Sequence, residues 1–163
     1  EEVEFQTRKM SKTTNALYLT DNQGIPIAIS SPVSGNHHDL YQIEDRMDEL
    51  FQTLEKANIA TEGLFINADA GFDSKEFRGK CCEYGIVPNT AINPRNGTSD
   101  DMIIFDEMLY EQRYTIERTN AWMDSYRTLL NRFDTTITSW IAFNYIAFIT
   151  IFLKKIHNNK KSR

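Results

Sequence analysis

Five polar side chains recur at helical spacing between Tyr110 and Phe133: Tyr110, Arg113, Glu117, Asn120 and Asp124. At about 100° per residue they share one narrow stripe of a long helix, while Ile116, Met123, Leu129 and Leu130 point away toward a core. The stripe gathers an acid, a cation and a phenol. A second carboxylate, Asp69, follows the apolar run Leu64-Phe65-Ile66, which reads as a short buried strand. Asp69 then stands at the carboxyl end of that strand, where open α/β sheets place ligands. Carboxylates converging from different elements suit hard divalent cations. Two such cations roughly 3.5–4 Å apart stabilise both the entering and the leaving oxygen of a phosphodiester. Spacing alone leaves a second reading for each feature: a solvated helix face for the stripe, and a strand-end residue satisfied by loop amides for Asp69.

The elements that must position these groups can be read in order. Thr13 to Thr20 and Ile25 to Ser30 alternate apolar and polar residues across Asp21-Asn22-Gln23-Gly24, the pattern of an antiparallel hairpin with Pro26 near the start of its second strand. Asp39 followed by Gln42 resembles a capping box, and Leu40, Ile43, Met47, Leu50, Phe51 and Leu54 repeat at helical spacing to about Lys56. After Asp69, Asp73 with Glu76 caps a second helix to about Tyr84. Gly85 ends it, Ile86-Val87-Pro88 forms another short strand, and Thr90 to Asp100 is a loop. The uncharged stretch from Ile137 to Leu153 closes the domain as a core helix. A membrane span is the lesser reading, because the stretch is short for a bilayer and carries Asn144 with several Thr and Ser. The order is hairpin, helix, strand, helix, strand, long helix, closing helix, which specifies a mixed α/β sheet flanked by helices.

The spacing Tyr110, two residues, Arg113, three residues, Glu117, continued by ERTNAWMDSYRTLLNRFD to Asp134, resembles the signature of DDE-type transposases of bacterial insertion sequences. The run NADAGFDSKEF from Asn67 to Phe77 resembles the same family's second-Asp motif. Asp124 occupies the place of the Lys that usually closes the signature, and Arg127 or Arg118 is the candidate replacement cation. The resemblance spans about Phe5 to Arg163 and implies a ribonuclease H-like fold. It also implies hydrolysis at the ends of the element, followed by attack of the freed 3′-hydroxyl on target DNA. Asp69 and Glu117 become the implied catalytic and metal-ligating residues for Mg²⁺ or Mn²⁺, two ions in the complete site. Tyr110, Arg113, Arg118, Arg127 and Arg95 become candidate DNA contacts. The family's first Asp lies on a first strand expected upstream of Glu1. The 163 residues are thus expected to be the carboxy-terminal part of a catalytic domain that lacks that strand and has little or no transposition activity alone. A homodimer on DNA is implied as well.

Composition narrows the alternatives. With 163 residues and 40% hydrophobic content the chain supports one domain with its own core. A net charge of −5 argues against nucleic-acid binding over the whole surface. Positive charge instead collects at Arg8, Lys9 and Lys12, along Arg113, Arg118, Arg127 and Arg132, and from Lys154 to Arg163, while acid gathers between Glu44 and Glu62. Two adjacent cysteines, Cys81 and Cys82, fit a reducing compartment, and a bacterial cytoplasmic, nucleoid-associated protein with no membrane partner is expected. Zinc ligation by His37, His38 and Asp39 is disfavoured, since adjacent side chains in an extended segment diverge. Trp122 is expected to pack in the core. A nuclease of the same fold, and an inactive DNA-binding or interaction fragment, remain the competing functions.

Overall fold

The computed structural model describes residues 4–6, 11–94, 104–130 and 136–161. Its elements are β1 (Glu4–Gln6), β2 (Ser11–Asn15), β3 (Tyr18–Thr20), β4 (Pro26–Ile29), β5 (Val33–Ser34), α1 (Ile43–Lys56), β6 (Phe65–Ala68), α2 (Lys75–Glu83) and β7 (Val87–Thr90), then α3 (Glu107–Glu111), α4 (Thr115–Asp124), α5 (Arg127–Leu130) and α6 (Ile137–Lys161). The fold is mixed α/β, as expected. Among the described residues the strands form three small ladders rather than one continuous sheet: β1-β2-β5, β3-β4 and β6-β7. The β6-β7 pair is parallel and the other pairings are antiparallel.

Strand β4 organises the layers. Successive side chains on a strand face opposite ways, and here Ala28 enters a cluster with Met47, Leu50, Phe51, Phe77 and Cys81, under α1 and α2. Its neighbour Ile29 enters a second cluster with Met123, Leu129, Trp140, Phe148 and Ile151, under α4 to α6. Helices therefore cover both faces. The expected hairpin is present as β3 and β4, but its first arm is shorter than Thr13 to Thr20: Ala16 and Leu17 separate β3 from β2, which pairs with β1 and β5 instead. The hairpin turn is docked on α4. Asp21 Oδ1 accepts from the amides of Gln23 (2.9 Å) and Ile25 (2.7 Å), and Gly24 takes a positive φ of 77°. A Cβ at Gly24 would meet the Thr115 carbonyl oxygen at 2.7 Å, so this approach requires glycine. Thr119 donates its hydroxyl to the Gly24 carbonyl, and Arg118 Nη1 donates to that of Gln23 at 3.2 Å.

Several local expectations are corrected. Asp39 and Gln42 form no capping box: α1 begins at Ile43, Gln42 is left-handed at φ 49° with no side-chain cap bond, and Asp39 Oδ1 instead accepts from Asn15 Nδ2 at 3.0 Å. Buried Arg46 draws that segment inward through the carbonyls of Asp39 and Tyr41 and the Ser30 hydroxyl. The cap of α2 is Ser74, which accepts from the Phe77 amide at 3.1 Å. Asp73 is buried and holds Arg78 (2.7 Å) and the Asn93 amide (2.7 Å). The strand after Leu64 is less enclosed than its apolar sequence suggested, with Leu64 and Phe65 both exposed. The long helix of Tyr110 to Phe133 is interrupted: a 3₁₀ turn at Gln112–Tyr114 separates α3 from α4, and α4 ends before Tyr126. Strands β1 and β5 were not anticipated, and α6 continues past Leu153 into the basic tail. Trp122 packs against the second cluster, with Lys155 Nζ 5.4 Å from its ring.

Burial sets the titration of two core groups. It pushes the Cys81 thiol from 9.0 up to about 12, and it raises the Tyr18 phenol, assisted by Asp124. Both groups keep their protons in the folded state after the unfolded chain has released them. Their contribution to stability is therefore complete below about pH 9 and declines as pH climbs toward 12. Urea midpoints should fall between pH 8 and 11, with a smaller fall in Cys81→Ala; an unchanged fall in that variant would contradict the assignment. In the native protein at pH 8, exposed Cys82 should react with a thiol reagent while Cys81 stays protected.

Candidate active site

Asp69 directly follows β6, in extended conformation at the start of a 3₁₀ turn. Its carboxylate is 76% exposed. A buried polar node ties the strand pair that carries Asp69 to the next helix. Asn89, fully enclosed on β7, donates from Nδ2 to Asn67 Oδ1 (2.8 Å) and to the Asp106 carbonyl (2.9 Å), and its Oδ1 accepts from the Asp106 amide (2.8 Å). Asp106 in turn caps α3 by accepting from the Leu109 amide at 2.9 Å. One amide side chain thus fixes the start of α3 against the strand pair that carries Asp69.

The 3₁₀ turn after α3 then aims Arg113 across the gap. Its Nε donates to Asp69 Oδ1 at 3.1 Å, a contact between residues far apart in sequence, and its Nη2 donates to the Tyr114 hydroxyl at 2.9 Å. The guanidinium lies between two aromatic rings, 4.5 Å from the centroid of Tyr110 and 4.2 Å from that of Tyr114. Burial pulls its pKa down, and Tyr114, Asp69 and Tyr110 more than offset that, leaving it raised. Arg113 therefore stays a fixed cation beside Asp69.

The structure brings together Asp69, Arg113 and Tyr110. Glu117 lies in the first turn of α4, exposed and without a hydrogen bond or ion pair to any described residue. Arg118 is committed to the hairpin turn through Gln23, Arg127 is exposed on α5, and Arg95 lies outside the described residues. Among the described residues no group of three or more His, Cys, Asp or Glu converges at metal-binding spacing. His37 stacks on Tyr41 with centroids 3.6 Å apart.

A cleft of about 510 Å³ adjoins this site. Residues 15–22 line one part of it and residues 64–69 another, with Met47, Leu50, Phe51, Arg113, Ile116 and Asn120 also contributing. Strand β3 pairs only with β4, and β6 only with β7, among the described residues. Each therefore presents an unpaired backbone edge. Sequence inspection missed Tyr114, Asn67, Asn89 and Asp106. Their signals were an aromatic on each side of Arg113, an Asn in a strand that otherwise favours β-branched residues, and a cap-type Asp three residues before Leu109.

The family described as DDE superfamily endonuclease matches residues 1–153, and the chain belongs to it. No curated protein and no solved structure shows a significant match to the chain. Membership implies nuclease-type activity and the use of divalent metal ions. The donor chemistry fits such ions. Among the described residues Asp69 Oδ2 makes no hydrogen bond and Glu117 has no partner, and both offer hard oxygen ligands of the kind Mg²⁺ takes one or two at a time beside its waters.

The node supplies a direct test of the architecture. Removing the Asn89 amide leaves its half-buried partners on Asn67 and Asp106 without their protein contacts and opens a void at a fully buried position, so Asn89→Ala should cost about 1–2 kcal/mol in urea unfolding. A change within a few tenths of that of a surface substitution would show that the node carries no weight.

Proposed function

We propose that the chain belongs to the catalytic domain of a DDE transposase from a bacterial insertion sequence, acting in the cytoplasm on nucleoid DNA. The observation that carries this reading is the contact between Asp69 and Arg113. It joins the two motifs whose resemblance to that family was independent in sequence. The reaction first breaks the P–O3′ bond at an element end, with water adding to phosphorus and a 3′-hydroxyl departing. That hydroxyl then attacks a phosphodiester of the target, displacing a second 3′-oxygen.

Bound divalent cations would supply charge neutralisation at the attacking and leaving oxygens. Asp69 and Glu117 would hold them. Arg113, oriented by Tyr110 and Tyr114, grips a phosphate oxygen once Asp69 turns to its cation; exposed Arg127 extends the basic track to α5, and Arg118 on α4 joins it through the guanidinium nitrogens that its bond to Gln23 leaves over. A ribonuclease H-like sheet is the fold this reading requires, and a further strand carrying the first Asp would fill the cleft between the edges of β3 and β6. Such a strand would satisfy both backbone edges and cover the apolar floor around Met47 and Phe51. Paired subunits on two element ends complete the assembly.

The test uses the longest natural polypeptide containing this chain, a supercoiled plasmid bearing element ends, and pre-cut ends with a target duplex, in Mg²⁺ and in Mn²⁺. Cutting and joining should both fall by on the order of 10³-fold in Asp69→Asn and in Glu117→Gln. Cutting without joining would select the nuclease alternative. Full activity in either variant would sink the assignment.

A further inference from the structure

Helix α6 is apolar on two opposite sides. Trp140, Asn144, Ala147, Phe148 and Ile151 face the domain and are buried, with Asn144 Oδ1 accepting from the Tyr18 hydroxyl at 2.7 Å and Asn144 Nδ2 donating to the Trp140 carbonyl at 2.8 Å. About 180° around the helix, Ile146, Ile149, Leu153 and Ile156 form a second stripe within roughly 80° of arc, flanked by Phe143 and Phe152. All six are 39–58% exposed. A helix that is apolar all round is normally covered all round, and nothing among the described residues covers this side.

The spacing identifies the kind of cover. Ile146, Ile149, Leu153 and Ile156 are separated by three, four and three residues, the repeat of a helix–helix seam, and three of the four are β-branched. We propose that this stripe is a two-fold interface with α6 of a second copy of the chain, the two helices running antiparallel. Charge sets the direction. The helix carries Lys154, Lys155, Lys160 and Lys161 at its carboxyl end and no acidic residue anywhere. A parallel pair would crowd eight ammonium groups together, whereas an antiparallel pair sets each basic end beside the uncharged amino-terminal half of its partner and opposes the helix dipoles.

Area sets the strength. The strip measures on the order of 500 Å², at the upper end of what monomers leave open. Two strips bury roughly 1,000 Å² in total, near the lower bound of specific interfaces, so the free protein should dimerise only in the micromolar range. A bilayer is the poorer occupant, because the opposite face of the same helix is fixed in the core through Asn144 and Tyr18. The inference rests on the paired-subunit reading above for its use in the cell, and supplies that pairing with a surface.

Sedimentation equilibrium tests it on the full chain. Wild type should show a monomer–dimer equilibrium with Kd on the order of 10 μM, and Ile149→Glu/Leu153→Glu should weaken it at least about 100-fold with an unchanged circular dichroism spectrum. In a Cys82→Ser background, Ile146→Cys mixed with Ile156→Cys should give a cross-linked pair under mild oxidation, while neither variant alone should. Dimerisation that survives the double substitution would overturn this surface and leave the pairing itself intact. A protein monomeric at millimolar concentration, or one that floats with anionic vesicles through the same stripe, would overturn the proposal; absence of pairing on two-ended DNA as well would overturn the paired-subunit reading. Cross-linking of each variant with itself would overturn the antiparallel arrangement.

Discussion

The site depends on one buried amide. Asn89 sits with no solvent exposure between the strand that ends in Asp69 and the helix that leads to Arg113 and Glu117, and its three hydrogen bonds join them. A buried amide is costly unless satisfied, so the same penalty that makes it unfavourable alone makes it selective for a single placement of α3. The Asp106 cap, the 3₁₀ turn and the aim of the Arg113 guanidinium all follow from that placement. Chemistry at the rim is thus set by polar satisfaction inside.

The apolar packing provides the frame on which the node acts. Because Ala28 and Ile29 face opposite clusters, β4 ties the α1–α2 layer to the α4–α6 layer, and the hairpin turn at Gly24 fixes α4 through Thr119. The cleft lies where that frame is incomplete. Core side chains such as Met47 and Phe51 line it, and two strand edges border it without partners among the described residues. Asp69 and Arg113 stand at the same cleft, so the gap in packing and the candidate chemistry coincide.

Much of the frame was legible in the sequence. Alternation gave the hairpin, the 3.6-residue period gave α1, the uncharged stretch from Ile137 gave a helix though only one side of it is buried, and the placement of Asp69 after an apolar run was correct. The failures have local causes. Asp39 and Asp73 have the residue type and spacing of caps, but Asn15, Arg78 and the Asn93 amide compete for them and win. The stripe of Tyr110, Arg113 and Glu117 assumed an unbroken α-helix, and the 3₁₀ turn shifts its phase just where Arg113 must reach Asp69. The Asn67–Asn89–Asp106 node was invisible because its members are far apart in sequence and each is unremarkable alone. No periodicity reports a long-range polar contact.

The central claim is that Asp69 and Glu117 serve one cation site for which Arg113 is the competing charge. Calorimetric titration of Mn²⁺ into the longest natural protein containing the chain, wild type against Asp69→Ala, Glu117→Ala and Arg113→Gln, tests it most directly. The account predicts binding lost in both carboxylate variants and tightened up to about fivefold in Arg113→Gln, the scale of an exposed ion pair. Binding unchanged by the carboxylate substitutions, or weakened by loss of Arg113, would contradict it.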